Sequence, residues 1–458
     1  MSRQLFGTDG IRGVAGEPPL DERTAHALGV ALGTWARQNL IQTHTSEASV
    51  QDHPPEVVIG MDTRESGPWI AAQVAGGLAR AGVSARFAGV ITTPGVAYLT
   101  RNGPFVAGVM ISASHNPYQD NGIKVISHSG YKLADSVELE LEHRINDWLA
   151  TGEEATSRDL VPDASLDDHY TNYLWNTVSS GLRFNLVIDC ANGSATKVAP
   201  SLFDRLGSRV EWLGASPDGR NINLNCGSLH LEGLRQRVLE TGADLGIAFD
   251  GDADRALFVS NSGKIVDGDA VLFLAGTALK RAGKLPGNVV VSTVMSNLGL
   301  EKALEVYGIE MIRTPVGDKY VLEEMLKRKA ALGGEQSGHV IFSEFATTGD
   351  GLLTALHVLE IIRDSHQPLD ELVSEITTFP QKLVNVRVKH KRPLTELPSV
   401  QAEIAAAEAE FANSGRVVVR FSGTEPLARV MIEAETEEAV DRWTGRIADA
   451  IRVELGAV

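Results

Sequence analysis

Three aspartates at alternate positions are the residues of this chain with the clearest chemical potential. Asp250, Asp252 and Asp254 stand in the segment Asp250-Gly-Asp-Ala-Asp-Arg255, directly after the apolar run Leu245 to Phe249. Carboxylate oxygens are hard ligands, and three of them at this spacing suit Mg²⁺. The segment therefore predicts a metal site at the end of a buried strand.

The same segment allows two other interpretations. An EF-hand calcium loop needs glycine at its sixth position and glutamate at its twelfth, where this chain has Arg255 and Asn261, so that interpretation fails. A phosphatase in which Asp250 attacks phosphate remains an alternative, because a strand-end aspartate can be a nucleophile. That alternative leaves the serine described next without a role.

Ser114 is a candidate for a covalent catalytic residue. It lies in the turn Ile111-Ser-Ala-Ser-His-Asn-Pro117, after the apolar run Phe105 to Met110. A buried strand that feeds a tight turn displays a hydroxyl at the carboxyl edge of a sheet, where open α/β folds place their ligands. Serine, asparagine and proline also fill ordinary turns for backbone reasons, so a purely structural turn is the alternative.

Two further segments combine groups that bind sugars and phosphates. In Gly334-Glu-Gln-Ser-Gly-His339, Glu335 and Ser337 could bind sugar hydroxyls and His339 could exchange protons near neutral pH, although a simple glycine turn explains the same residues. Arg420-Phe-Ser-Gly-Thr-Glu-Pro426, followed by Arg429, offers guanidinium, hydroxyl and backbone N–H donors to an anion. The chain has no Walker lysine pattern and no G-x-G-x-x-G fingerprint, so the sequence does not support nucleotide binding by a P-loop or by a Rossmann motif.

Composition narrows the classes of function. The chain has 458 residues, a formal net charge of -17 and 43% hydrophobic residues, which indicates a multidomain globular protein and argues against a nucleic-acid binder. Its only two cysteines, Cys190 and Cys226, form no disulfide framework or zinc pattern. With no signal sequence and no membrane-spanning apolar run, we expect a cytoplasmic protein. The basic run 389–392 is interpreted as a solvated loop.

Apolar β-branched runs alternate with amphipathic helical stretches along most of the chain, which predicts βαβ units. Polar, turn-rich segments place domain boundaries so that residues 1–160, 161–265 and 266–375 form α/β domains and residues 376–458 a small α+β domain. The polar, aperiodic segment 43–55 is predicted to be a surface loop.

In order and over the whole chain, these segments closely resemble the motifs of the α-D-phosphohexomutase superfamily. The matching segments are Phe6 to Gly13, Ser112 to Pro117, Asp250 to Arg255, Gly334 to His339 and Arg420 to Pro426. The loop at Phe6 to Gly13, Gln336 and the Ser422-Gly-Thr424 triplet resemble the branch that acts on an amino sugar. The long 43–55 segment, Phe421 and Ala428 depart from the usual pattern without removing a functional group.

The resemblance implies an α/β fold of four domains around a central cleft, three of them similar α/β domains with mixed sheets and the fourth an α+β phosphate-binding domain. It also implies the site residues. Ser114 matches the phosphoserine, and Asp250, Asp252 and Asp254 match the ligands of one Mg²⁺ per subunit, with a phosphoserine oxygen as the fourth. Lys124 and His339 match acid/base and phosphoryl-stabilising positions, Arg12 an active-site arginine, Glu335 and Ser337 the sugar loop, and Arg420, Ser422, Gly423, Thr424 and Arg429 the distal phosphate loop.

The implied reaction interconverts glucosamine 6-phosphate and glucosamine 1-phosphate, with glucosamine 1,6-bisphosphate as intermediate and activator, and supplies precursors of the cell wall. The expected partners are the phosphosugar and an activating phosphoryl donor or kinase, with a homodimer as one expected assembly and neither nucleic acid nor membrane. Three rivals stay open: a glucose or mannose phosphate mutase, a hydrolase that uses an aspartyl phosphate, and a non-catalytic sugar-phosphate binder.

Overall fold

The computed structural model describes residues 5–7, 9–43, 54–422 and 426–456. Most of the predicted 43–55 loop therefore lies outside the described residues. The described chain forms four sheets that follow one another along the sequence, each with its own helices.

The first domain is built on a six-stranded sheet. Its strands are β1 Phe6–Gly7, β2 Gly10–Val14, β3 Glu56–Met61, β4 Ser84–Val90, β5 Phe105–Ile111 and β6 Asp120–Ser127. Its helices are α1 Glu22–Thr43, α2 Gly67–Arg80, α3 Thr93–Asn102 and α4 Asp135–Ala150. The strand order is β1-β2-β6-β5-β3-β4, with β3, β4 and β5 parallel and the remaining pairings antiparallel.

The second and third domains have five-stranded and four-stranded sheets. The second contains α5 Ala164–Asn176, β7 Asn185–Asp189, α6 Ala195–Leu206, β8 Arg209–Leu213, the 3₁₀ turn Gly227–Leu229, α7 Glu232–Thr241, β9 Leu245–Phe249, β10 Ala256–Ser260 and β11 Ile265–Val266. The third contains α8 Gly268–Arg281, the 3₁₀ turn Pro286–Asn288, β12 Val289–Thr293, α9 Leu298–Val306, β13 Glu310–Thr314, α10 Asp318–Arg328, β14 Leu332–Gly334, β15 Val340–Phe342, α11 Gly351–Ser365 and α12 Leu369–Leu372.

These three domains share one topology. In each, the first strand lies between the second and the third in a parallel arrangement, and a fourth strand pairs antiparallel with the third: β4-β3-β5-β6, β8-β7-β9-β10 and β13-β12-β14-β15. The loops between the third and fourth strands are residues 112–119, 250–255 and 335–339. The predicted serine, metal and sugar segments therefore occupy equivalent positions in three similar units.

The fourth domain is a three-stranded antiparallel sheet with two long helices. It contains β16 Gln381–Arg387, the 3₁₀ turn Leu394–Glu396, α13 Pro398–Phe411, β17 Gly415–Phe421, β18 Leu427–Ala434 and α14 Glu437–Leu455. Its apolar side chains form a separate core around Trp443 and Ile447, whereas one continuous cluster runs through parts of the first three domains. The segment 423–425, between β17 and β18, lies outside the described residues.

The predicted fold class, three α/β domains followed by a small α+β domain, is confirmed, and the apolar runs Phe105 to Met110 and Leu245 to Phe249 form strands. The boundaries stay a prediction; strand β11 ends at Val266, so the second sheet extends one residue past 265. None of the described helices combines the length and the apolar character needed to cross a membrane.

Helices α1 and α2 pack closely because glycines face each other. A Cβ atom at Gly77 would lie 2.1 Å from the His26 carbonyl oxygen, and one at Gly29 would lie 2.2 Å from the Val74 carbonyl oxygen. Both obstacles are backbone atoms, which cannot turn aside as a flexible side chain would. These glycines therefore set the distance between the helices that cover one face of the first sheet.

We expect Gly77→Ala to destabilise the protein by about 1–3 kcal/mol or more, because the added methyl group forces α1 and α2 apart. Gly233 in α7 is the matched control, since a Cβ there meets no atom within 4 Å. Gly233→Ala should stabilise by roughly 0.5–1 kcal/mol through helix propensity. Urea unfolding of both variants checks this, and equal effects at the two sites would contradict the packing argument.

Candidate active site

Ser114 lies at the centre of a buried polar cluster formed by loops of the first and second domains. Its side chain is 2% exposed, and its Oγ donates a hydrogen bond of 2.6 Å to Asp250 Oδ2. Its backbone has φ 52°, in the left-handed region that residues other than glycine rarely adopt. A buried hydroxyl on strained backbone is more typical of a functional position than of an ordinary turn.

Arg64 holds the loop around Ser114 in this conformation. It forms an ion pair of 2.9 Å with Asp62, and neither side chain is exposed. Asp62 also accepts a 2.6 Å hydrogen bond from Ser112 Oγ, which in turn accepts from the Ser114 backbone N–H. The guanidinium donates to four carbonyl oxygens of the loop, those of Ser114 at 2.9 Å, Asn116 at 2.8 Å, Asp120 at 3.0 Å and Pro117.

Asn223 of the second domain supports the same loop from the other side. Its Nδ2 donates to the carbonyl oxygens of Ser114 at 2.9 Å and Asn116 at 3.1 Å. The sequence indicates neither support, because Arg64 and Asn223 lie in none of the motifs. The loop is thus fixed through its backbone, which leaves the Ser114 hydroxyl directed at the aspartates.

The aspartates Asp250, Asp252 and Asp254 are buried together, with carboxylate oxygens within 4.8 Å of one another. Burial raises the pKa of Asp250 well above its ordinary value, and the charges of Asp254 and Asp252 add to this effect. Like charges in a buried site repel strongly, so the cluster needs a positive counter-charge.

The aspartates fit a divalent cation. Asp252 Oδ1 and Asp254 Oδ1 are buried and have no hydrogen-bond partner among the described residues, although buried carboxylate oxygens are normally satisfied. The three residues together supply only oxygen atoms, the donor set that Mg²⁺ prefers. The predicted metal ligands therefore lie together and have free ligand atoms.

Lys124 provides one fixed positive charge beside the aspartates. Its Nζ lies 2.7 Å from Asp252 Oδ2, which also accepts a 2.5 Å hydrogen bond from Thr93 Oγ1. Burial would lower the pKa of Lys124, but the nearby carboxylates, chiefly Asp252 and Asp9, outweigh burial and raise it well above its ordinary value. The lysine is therefore protonated at neutral pH.

His339 contacts the cluster from the third domain. Its Nδ1 lies 3.5 Å from Asp254 Oδ2, and its Nε2 accepts a 3.0 Å hydrogen bond from the Gly349 N–H. Burial lowers the pKa of His339, but Asp254 and Asp318 outweigh burial and raise it to about 9. An Nε2 that accepts a hydrogen bond carries no proton, and a cation bound by Asp254 would favour this neutral form, with its proton on Nδ1.

Arg255, which ends the aspartate segment, was not predicted as a site residue. Its backbone N–H donates to Asp250 Oδ1 at 3.2 Å, and its Nε lies 3.7 Å from Asp254 Oδ1. Burial lowers the pKa of Arg255, but the surrounding carboxylates outweigh burial and raise it. It thus adds a second permanent positive charge. Its position directly after the predicted metal ligand Asp254 is the feature of the sequence that could have predicted this role.

The predicted sugar loop, residues 335–339, connects β14 and β15 of the third domain and ends at His339. Glu335 Oε1 accepts a 3.0 Å hydrogen bond from the Gly317 N–H, and Ser337 Oγ is buried with no hydrogen-bond partner in the described chain. A turn at Gly317 and Asp318, which no motif indicated, therefore positions Glu335. Ser337 retains a hydroxyl that can bind a ligand.

Arg12 joins the cluster through Asp9. It lies on β2, opposite Gly122 of β6, and its Nη2 is paired with Asp9 Oδ2. The same carboxylate oxygen lies 3.6 Å from Lys124 Nζ. The two predicted cations of the first domain are thus held by one carboxylate, which sequence reasoning did not single out.

The predicted phosphate loop stands apart, in the fourth domain. Arg420 on β17 and Arg429 on β18 are directly paired across the antiparallel ladder, and burial together with the Arg429 charge lowers the pKa of Arg420. Like charges placed opposite each other are destabilising unless an anion lies between them. Ser422 follows β17, and its carbonyl accepts a 2.6 Å hydrogen bond from Lys391. The predicted residues Gly423 and Thr424 lie outside the described residues.

The amino-acid sequence matches one family along nearly all of its length. Four regions match the descriptions "Phosphoglucomutase/phosphomannomutase, alpha/beta/alpha domain I" over residues 3–151, domain II over residues 168–263, domain III over residues 267–379 and the C-terminal domain over residues 383–450. The chain belongs to the phosphoglucomutase/phosphomannomutase family, and so to the α-D-phosphohexomutase superfamily that its motifs resemble.

Individual members of this family are similar to the chain over its full length. The phosphoglucosamine mutase of Solibacter usitatus (strain Ellin6076) is 57% identical over 459 residues, covering 100% of both chains. A phosphoglucomutase/phosphomannomutase family protein of Burkholderia thailandensis has a solved structure similar to this one, with a TM-score of 0.80, 25% identity and coverage of 99% of this chain and 98% of that one.

A second solved structure shares the fold at lower sequence identity. It is the N-acetylphosphoglucosamine mutase of Aspergillus fumigatus, in complex with GlcNAc-6P and magnesium, which has a TM-score of 0.63 and 18% identity over 99% of this chain and 96% of that chain.

We expect Arg64→Met to cost about 3–5 kcal/mol of stability, because it leaves Asp62 as a buried unpaired carboxylate and removes four donors from the Ser114 loop. Arg80→Met is the control, since the Arg80–Glu153 pair is nearly half exposed and its loss should cost less than about 1 kcal/mol. Denaturant unfolding of both variants measures the difference, and similar small losses would mean that Arg64 does not hold the loop.

Metal binding provides a second test of the site. Mg²⁺ at about 100 times its dissociation constant should stabilise the protein by about 2.7 kcal/mol, and Asp252→Asn should abolish most of this gain. Asp189→Asn is the control, because the buried Asp189 carboxylate accepts backbone hydrogen bonds from Ala191 and Gly227 and is not one of the clustered aspartates. Thermal unfolding with and without Mg²⁺ checks this, and an unchanged shift in Asp252→Asn would contradict the assigned ligands.

Proposed function

We propose that this chain is a phosphoglucosamine mutase that interconverts glucosamine 6-phosphate and glucosamine 1-phosphate through a phosphoserine at Ser114. The observation that carries the proposal is the 2.6 Å hydrogen bond from the Ser114 hydroxyl to Asp250, one of three clustered carboxylates. A serine that accepts and releases a phosphoryl group accounts for a buried hydroxyl, held on backbone with positive φ, that faces a predicted metal site. The full-length likeness to a phosphoglucosamine mutase supports the choice of substrate.

The reaction has two transfers of the same kind. In the first, the bond between phosphorus and Ser114 Oγ breaks, a bond to the sugar's free oxygen forms, and the proton of that hydroxyl ends on Ser114. The product is glucosamine 1,6-bisphosphate. It turns over in the cleft and returns its other phosphoryl group to Ser114 by the reverse step, which regenerates the phosphoserine and releases the isomeric monophosphate.

The aspartates around Ser114 would bind the metal ion, and the nearby cations would compensate negative charge. Asp250, Asp252 and Asp254 would hold one Mg²⁺, which would neutralise negative charge on the transferring phosphoryl group. A phosphoserine adds about -1.5 to -2 charges at pH 7, so it needs this compensation beside three carboxylates. Lys124 and Arg255 remain protonated and add fixed positive charge from the protein itself.

Substrate binding would use the sugar loop of the third domain and the phosphate loop of the fourth. Glu335 and Ser337 are proposed to bind sugar hydroxyls, since one is fixed by Gly317 and the other has a free hydroxyl. Arg420 and Arg429 are proposed to hold the phosphate that is not reacting, which converts binding energy far from the reaction into positioning. We propose the same role for Gly423 and Thr424 from the sequence alone. The fold neighbour from Aspergillus fumigatus, described with GlcNAc-6P and magnesium, is consistent with a phosphosugar and Mg²⁺.

Steady-state rates with the 6-phosphates of glucosamine, glucose and mannose test the proposal. We expect kcat/KM to be highest for glucosamine 6-phosphate, and Ser114→Ala to lower it by at least about 10³-fold, as loss of a nucleophile does. Ser112→Ala removes a hydroxyl that supports the loop through Asp62 but does not face the aspartates, so it should retain far more activity than Ser114→Ala. A rate for glucosamine no better than the others would indicate a phosphomannomutase or phosphoglucomutase, and an unaffected Ser114→Ala would exclude the mechanism.

A further inference from the structure

Lys132 joins two carboxylates from different domains. It follows β6, and its Nζ lies 2.6 Å from Asp9 Oδ1 in the first domain and 2.7 Å from Asp318 Oδ2 in the third. The three side chains are only 27%, 26% and 25% exposed. Two direct contacts on one ammonium, in a cleft that limits solvent screening, make this more than a surface ion pair.

The Asp9 side of this bridge leads to the predicted catalytic cations. The other oxygen of Asp9 is paired with Arg12 and lies 3.6 Å from Lys124. Asp9 therefore balances three positive charges with one carboxylate, and its own position depends on all three. Without Lys132, Asp9 would be free to turn toward Arg12 and Lys124 and so change where their charges lie.

The Asp318 side of the bridge leads to the sugar loop. Asp318 is the first residue of α10, directly after Gly317, whose N–H fixes Glu335. Asp318 Oδ2 also lies 3.9 Å from His339 Nε2. Lys132 separates the charges of Asp9 and Asp318, which would repel each other if the ammonium were removed.

We propose that Lys132 is a positioning residue for the mutase reaction, which fixes Arg12 and Lys124 through Asp9 and fixes the Gly317–Asp318 turn, and with it Glu335, through Asp318. The inference rests on the proposed function for the reaction that it serves. Lys132 touches neither the reacting serine nor the aspartates of the metal site, so its contribution is made through its two partners.

Kinetics separate the two sides of the bridge. Lys132→Met breaks both contacts and should lower kcat/KM for glucosamine 6-phosphate by about tenfold or more, while Lys132→Arg keeps a cation and should recover most of the loss. Asp318→Asn keeps the contact between Lys132 and Asp9 and weakens the one between Lys132 and the third domain, so it should raise KM more than it lowers kcat. The double variant Lys132→Met with Asp318→Asn should be little worse than Lys132→Met alone, because the two residues act together.

Thr347→Val is the matched control at the same contact between domains. Thr347 Oγ1 donates a 2.6 Å hydrogen bond to the Gly130 carbonyl, which links the third domain to the loop that carries Lys132. The change preserves shape and does not touch Asp9 or Asp318, so kcat/KM should stay within about threefold of the wild type. A loss in Thr347→Val equal to that in Lys132→Met would overturn the proposal, as would full activity in Lys132→Met.

Two further measurements keep the inference separate from the substrate assignment. The first is the rate at which saturating glucose 1,6-bisphosphate phosphorylates Ser114, followed by intact mass, which should fall about tenfold in Lys132→Met and less in Asp318→Asn. The second is hydrogen exchange at residues 317–321 without any substrate, which should be faster in Lys132→Met than in the wild type or in Thr347→Val, because only the first variant loses the contact with Asp318. If the wild type does not isomerise glucosamine 6-phosphate, the proposed function fails, but unchanged exchange in Lys132→Met would refute the bridge itself.

Discussion

The structure of the cleft depends on one costly arrangement, the burial of three carboxylates within 4.8 Å of one another. Such a cluster is tolerable only with positive charge close by, and the surrounding protein supplies it from several directions. Lys124 comes from the first domain and Arg255 from the second, while His339 of the third domain places its Nδ1 3.5 Å from Asp254. The carboxylates thus bring three domains into contact at the point where a cation and a phosphoserine would add their own opposing charges.

The repeated topology explains how these groups reach one place. In each α/β domain the loop between the third parallel strand and its antiparallel neighbour carries a functional segment: residues 112–119, 250–255 and 335–339. Short loops at the ends of buried strands are rigid supports, so a site assembled from three of them can hold its groups without ordering a flexible segment. The fourth domain differs in architecture and presents its paired arginines, Arg420 and Arg429, on adjacent antiparallel strands.

Much of this could be predicted from the sequence, because the functional residues lie at strand ends and in glycine-rich turns that leave local patterns. Ser114 and the three aspartates of the cluster were found in this way. The residues that support them were not, because Arg64, Asn223 and Lys132 act through contacts with residues that are distant in sequence. A cation that donates to backbone carbonyls, or bridges two carboxylates, leaves no spacing pattern. The resemblance to a family indicated what the motif residues do, whereas the residues that hold them in place became visible only in the packed structure.

The central claim is that Ser114, not an aspartate, carries the phosphoryl group. Incubation of the protein with glucose 1,6-bisphosphate and Mg²⁺, followed by peptide mapping before and after acid treatment, tests it most directly. The account predicts a single acid-stable phosphate on the peptide that contains Ser114, absent from Ser114→Ala. An acid-labile phosphate on Asp250 would contradict it and indicate an aspartyl-phosphate hydrolase instead.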